Sequence, residues 1–205
     1  MYTPEIYQNH NQQEIESFLK SNAFGILINQ TNNKIWGTHI PLELENMSNG
    51  RQILVGHIAL ENPQSKHLLN NDEVLCIFNG PHTYISSSWY DHENVPTWNY
   101  IAVHVYGKVR LHNLQETIND LEKLVDKYEL NQQNPVKVVD FSKRTMLQAR
   151  AILGFEIEIT EIQATKKMSQ NRDQKNYDNI IYELEKTNKV DSSQVATEMK
   201  KCPRN

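Results

Sequence analysis

The 205-residue chain has only two cysteines, Cys76 inside an apolar run and Cys202 in a polar terminal stretch, which make a poor disulfide pair. This excludes a disulfide-stapled scaffold and points to a reducing compartment. Glycine and proline occur seven times each, too sparsely for a low-complexity chain or a flexible linker between domains. No apolar run approaches a membrane span, and Met1-Tyr2-Thr3-Pro4-Glu5 lacks a basic region ahead of a greasy core, so the expected location is the cytoplasm, with no membrane partner. Positive charge is also short. The formal net charge of −4 works against broad nonspecific DNA binding, because phosphate affinity comes mainly from Lys and Arg, and it leaves only a local basic face. Nucleophile-elbow, P-loop and dinucleotide fingerprints are all missing.

What is present is an ordinary globular composition, 38% hydrophobic and 22% charged, enough for one well-buried domain. Ile15, Phe18 and Leu19 share a helical face behind Asn11 and Glu14, which are spaced as an N-cap and its partner. Four strands are expected at 23–29, 34–45, 52–59 and 73–80, with a short helix over 61–70. In the second strand Ile40, Leu42 and Leu44 alternate with His39, Pro41 and Glu43, so one face is buried. The clearest strand is 99–112, apolar at odd positions from Ile101 to Leu111, with a bend expected at Gly107; a run of this length belongs to a barrel or a strongly bent sheet. A helix capped by Asn113 and Glu116 follows, then one over 142–152 and a strand through Phe155, Ile157 and Ile159. Tyr177, Ile180, Ile181 and Leu184 predict a closing helix. The expected division is one α+β domain over 1–186 and a frayed polar tail over 187–205.

Three patches stand out on their chemistry. Gly56–Gln64 runs from a strand into a helix start, read either as a plain N-cap or as a phosphate cradle with Asn62 and Gln64. From Gly80 to Tyr100, two tryptophans, three tyrosines and three serines crowd a polar stretch. They suit a planar heteroaromatic ligand, a subunit interface or an ordered loop; no Lys or Arg interleaves with them as nucleic-acid stacking would require. His39, His57, His82 and His104 lie on or beside strands without the spacing of a zinc site, so no metal is expected. Residues alone yield a barrel with one aromatic-lined polar pocket, and no reaction.

The blocks Thr38–Leu42, Gly56-His57, Asn62–Gln64, Gly80–His82, Ile85-Ser86, Ser88–Tyr90, Val95–Tyr100, Val103-His104, Gly154–Ile159 and Ser169–Arg172, in this order, resemble the signatures of the PaiB-like FMN-binding transcriptional regulators from about Met1 to Leu184. Three positions depart from that pattern: Ser87 where proline is common, Ser65 where an aromatic is frequent, and Ala164–Lys167 in place of Gly-Lys-aromatic-Lys. The resemblance implies an FMN-binding split β-barrel of the pyridoxamine-phosphate-oxidase type with peripheral helices. It further implies a bacterial homodimer with flavin sites near its interface and negative control of protease synthesis and sporulation. Carried onto this chain it implies FMN contacts from Thr38, His39, His57, Asn62, Gln64 and Lys66; from the aromatic stretch, Trp89 and Trp98 are expected to approach the ring, with Ser88 and Asn99 donating to its polar edge. No catalytic residue is implied. No helix-turn-helix is visible, so any DNA association is expected to be weak or indirect. Local basic pairs occur at Lys108/Arg110, Lys143/Arg144 and Lys166/Lys167, and a handful of phosphate contacts loses about three or more decades of affinity from low to moderate salt. The alternative is a small flavin oxidoreductase with an indirect regulatory effect, which bleaching of the protein by NAD(P)H without air would reveal.

Overall fold

The computed structural model describes residues 1–31, 33–69 and 72–202. Its strands are β1 (Phe24–Thr31), β2 (Lys34–Asn46), β3 (Gln52–Ala59), β4 (Glu73–Ile85), β5 (Thr97–Leu111) and β6 (Ile152–Lys167). Its helices are α1 (Gln12–Ser21), α2 (Leu114–Glu129), α3 (Lys143–Met146), α4 (Gln174–Lys186) and α5 (Val190–Lys201), with short 3-10 turns at Pro63–His67, Ser87–Trp89 and Leu147–Ala151 among others. The chain divides into two compact units, and among the described residues no helix is long and apolar enough to cross a membrane.

One unit, the barrel unit, comprises Leu19–Ile77 and Val105–Ile162, with all of β1, β2 and β3 and parts of β4, β5 and β6. The strands follow the closed-barrel order β1-β2-β3-β6-β5-β4. β1 pairs antiparallel with β2 (Ile26 opposite His39) and with β4 (Leu27 opposite Cys76). β3 pairs antiparallel with β2 (Leu42 opposite Gly56) and with β6 (Gly56 opposite Phe155). Period-two patterning sends Leu27, Leu42, Leu54, Ile58, Phe155 and Ile157 into the core, each at 2% exposure or less. Each such side chain contributes about 1.5–3 kcal/mol by leaving water. Gly50 closes the β2–β3 turn at φ +81°, a conformation that favours glycine. At Gly107, where the sequence suggests a bend, the structure shows a close approach. A Cβ there would sit 2.4 Å from the Glu158 carbonyl oxygen, so only glycine lets β5 lie against β6. α2 opens with a full capping box, Asn113 Oδ1 accepting from Glu116 N–H at 3.0 Å and Glu116 Oε2 from Asn113 N–H at 2.8 Å.

The other unit comprises Met1–Phe18, Phe78–His104 and Gln163–Asn205. Its core gathers Ile85, Tyr90, Met168, Tyr177, Ile180, Leu184, Val195, Ala196 and Met199. The closing helix appears as α4, capped by Asp173. The tail expected to fray from 187 instead forms α5 and buries Val195, Ala196 and Met199; its last three residues lie outside the described ones. The helix expected over 142–152 is likewise divided into α3 and the following 3-10 turn. Both thiols are free, and burial pushes each above its ordinary pKa.

Candidate functional site

In the barrel unit, Thr38 on β2 meets the turn that follows β3. Asn62 Nδ2 donates to Thr38 Oγ1 at 2.9 Å, and Thr38 Oγ1 donates to Gln64 Oε1. Gln64 is fully buried and sends its amide N–H groups to the Leu27 carbonyl at 3.2 Å and to Asn29 Oδ1 at 3.1 Å. The helix start is occupied by the same residues. Pro63 has no N–H, Gln64 N–H goes to Asn62 Oδ1 at 2.9 Å, and Ser65 N–H goes to the Asn62 carbonyl at 2.9 Å. The phosphate cradle expected here therefore gives way to a self-satisfied cap, and Asn62 and Gln64 act as structural amides. Lys66 is exposed beside it. His39 is also exposed, its ring stacked on Phe24 at 6.2 Å.

His57 stands apart from this group. It lines a cleft of about 200 Å³ with Pro41, Glu43, Glu45, Asp120, Lys123 and Lys127. Burial holds its imidazole below the ordinary pKa, with the Asp120 charge pulling the other way. Lys123 is paired with Glu45 at 2.8 Å and Lys127 with Glu43 at 2.6 Å, so the charges in the cleft are largely matched internally. Its volume falls below the roughly 300–1,000 Å³ of a site for a ligand of FMN's size.

In the second unit the four expected flavin contacts separate. Asn99 is fully buried, accepting from Ser169 Oγ at 3.0 Å and directing Nδ2 to the Met199 sulfur at 3.5 Å, so it ties β5 to neighbouring segments. Ser88 shares a hydroxyl contact with Ser86 at 2.8 Å, and Trp89 packs against the apolar core of this unit. These two line an open cleft of about 460 Å³ with Tyr90, Asp91, Lys175 and Tyr182. Trp98 belongs to another group. It is 53% exposed, with His82 at 6.3 Å and Tyr84 at 6.0 Å between ring centres. His82 and Tyr84 were not among the expected contacts, although their alternation along β4 with Thr83 and Ile85 puts them on one face. The histidines do not satisfy one another: His82 Nδ1 contacts the Gly80 carbonyl at 3.1 Å, and His104 Nδ1 is buried with no partner among the described residues.

The family model described as "Putative FMN-binding domain" matches residues 1–161. The chain belongs to this family. Within the FMN-binding domain family it is PaiB-like, being 39% identical over 197 residues to the protease synthase and sporulation protein PAI 2 of Bacillus subtilis, a match covering 96% of this chain and 95% of that one. Among solved structures the flavocytochrome Anf3 of Azotobacter vinelandii superposes with a TM-score of 0.63 at 13% identity, over 86% of this chain and 78% of that one. An FAD- and heme-binding protein of Mycobacterium smegmatis gives 0.61 at 12%, over 78% and 73%. These two likenesses are of fold. Flavin is the family's cofactor, and the residues present fit it in part. A flavin ring needs flat apolar walls and a few polar groups, which exposed Trp98 and Tyr84, His82 and the unpartnered buried nitrogen of His104 can supply. In the barrel unit, the groups not spent on the chain's own structure are exposed Lys66 and His39.

Proposed function

We propose that this PaiB-like chain is an FMN-binding regulatory protein that acts as a homodimer in the bacterial cytoplasm and restrains protease synthesis and sporulation. The observation that carries the flavin placement is the aromatic face of Trp98, Tyr84 and His82. An indole 53% exposed beside two further rings loses water favourably against a planar heteroaromatic ligand. The regulatory part is supported by the name of the Bacillus subtilis relative, whose length this chain nearly matches. In this reading Trp98, Tyr84 and His82 wall the ring.

Titrating apo-protein with FMN while following flavin fluorescence tests the placement. Saturable quenching is expected, weakened about tenfold in Trp98→Ala, a loss of roughly 1.4 kcal/mol. His57→Ala, which alters the small charged cleft, is expected to bind like the parent. Quenching that does not saturate by about a millimolar, where binding is worth only ~4 kcal/mol, would remove the flavin reading for this chain.

A further inference from the structure

Two cations in the second unit stand without a counter-charge. Lys167, which ends β6, donates from Nζ to Thr97 Oγ1 at 2.6 Å and lies 5.6 Å from the centre of the Tyr7 ring. The Arg172 guanidinium lies 5.1 Å from the centre of the Tyr90 ring. Both are half-buried, and among the described residues no carboxylate comes within ion-pair reach of either. Adjacent Lys166 shows the contrast, being paired with both Glu14 and Glu198. Asp173, next to Arg172 in sequence, is committed to capping α4 through Asn176.

A second observation points the same way. Tyr90 is 8% exposed, yet its hydroxyl has no hydrogen-bond partner among the described residues. A buried hydroxyl without a partner is costly unless a ligand supplies one. Arg172 is also firmly placed. Its N–H bonds the Ser169 carbonyl at 3.0 Å, Ser169 Oγ bonds Asn99 at 3.0 Å, and Gln170 Nε2 bonds the Lys166 carbonyl at 2.8 Å and that of Ile6 at 3.2 Å. The block Ser169–Arg172 thus presents its arginine from a fixed turn.

We propose that Lys167, Arg172 and the Tyr90 hydroxyl form a binding site for a dianionic phosphate group. Two unmatched positive charges equal the charge of a phosphate monoester, the planar guanidinium can grip two of its oxygens, and the phenol donates to a third. Burial, and then the charge of Arg172, pull the Lys167 pKa down; a bound anion relieves that repulsion. The phosphate comes either from FMN or from a free phosphate compound. The site stands on this geometry alone and is independent of where the flavin ring lies.

Calorimetric titration of the full chain with inorganic phosphate, FMN and riboflavin tests it, each repeated with Lys167→Gln, Arg172→Gln and Tyr90→Phe. Near-ultraviolet circular dichroism checks each fold, and Tyr90→Phe, which removes one unpartnered oxygen, is the variant least able to disturb it. Saturable phosphate binding is expected, weakened about tenfold or more by loss of either cation and less by loss of the phenol oxygen. FMN binding more tightly than riboflavin, with that advantage lost in Arg172→Gln, identifies FMN as the source. Phosphate binding with no effect of the variants on FMN identifies a free phosphate compound. Phosphate binding that is undetectable, together with FMN and riboflavin affinities that are equal and untouched by all three variants, overturns the site while leaving the flavin reading intact. Failure of FMN to bind while phosphate binds does the reverse.

Discussion

The imidazole of His112, only 4% exposed, lies between two carboxylates, with Nδ1 2.7 Å from Asp120 Oδ2 and Nε2 3.4 Å from Glu156 Oε2. Arg110 Nη2 approaches Nε2 at 3.1 Å, while its other nitrogens hold Glu156 at 2.8 Å and Glu116 at 2.9 Å. A neutral ring accepts from Arg110, whereas a protonated one donates to Glu156. Burial opposes the charge, but the hydrogen bond and charge of Asp120, then Glu156, outweigh it and raise the pKa above 6.5. A raised histidine pKa stabilises the fold fully below the unfolded value, and this contribution is lost as pH rises through the folded one. Glu156, lowered chiefly by Arg110, contributes above its ordinary range and loses its contribution as pH falls through its depressed value. Thermal unfolding of the parent and His112→Gln between about pH 6 and about pH 9 is expected to show a stability gap widest at the acid end and narrowing upward. A gap constant over that range would rule out the charged ring.

At the scale of elements, local signals were legible wherever one short-range pattern decides the structure. The capping box at Asn113 and Glu116 starts α2 as read, and the apolar run between polar turns gives β3 its bounds at Gln52 and Ala59. α5 was not legible, because its apolar contribution is only Val195, Ala196 and Met199 within VDSSQVATEMKK, and what buries them is tertiary packing. For the candidate site a sequence displays residue types and not their partners. Asn62, Gln64 and Asn99 read as ligand donors, yet a buried amide satisfied by its own chain has the same sequence appearance as one offered to a ligand. The weight α5 carries is measurable. Met199 is fully buried, and its carbonyl accepts from the Tyr177 hydroxyl at 2.6 Å. Met199→Ala is therefore expected to cost about 2–5 kcal/mol. A urea midpoint unchanged within error would mean that α5 adds nothing to the core.

For the whole molecule, charge and exposed apolar surface decide association. Phe24 and Ile35 are 66% and 70% exposed in the barrel unit, the kind of apolar surface that a second copy covers. The proposed homodimer should appear as a single dimeric species in sedimentation at micromolar concentration, and a monomer there would count against it. Direct DNA binding has less to draw on than the basic pairs suggest. Arg110 is engaged with Glu156 and Glu116, Lys166 with Glu14 and Glu198, and half-buried Lys167 with Thr97. Of the six cations in those pairs, Lys108, Lys143 and Arg144 remain exposed and without an ion pair among the described residues. Three phosphate contacts give a slope of about −2.7 in log affinity against log salt, so raising salt from about 50 to about 200 mM should weaken binding roughly 40-fold. Six free cations would lose about three decades over the same range. Fluorescence anisotropy with a labelled duplex reads the slope directly. Binding tighter than about 10⁻⁸ M that persists at about 200 mM salt and prefers one sequence would require base-reading contacts, and would make the proposed regulation direct. The weaker, salt-dependent result is the one expected of a protein with a net charge of −4.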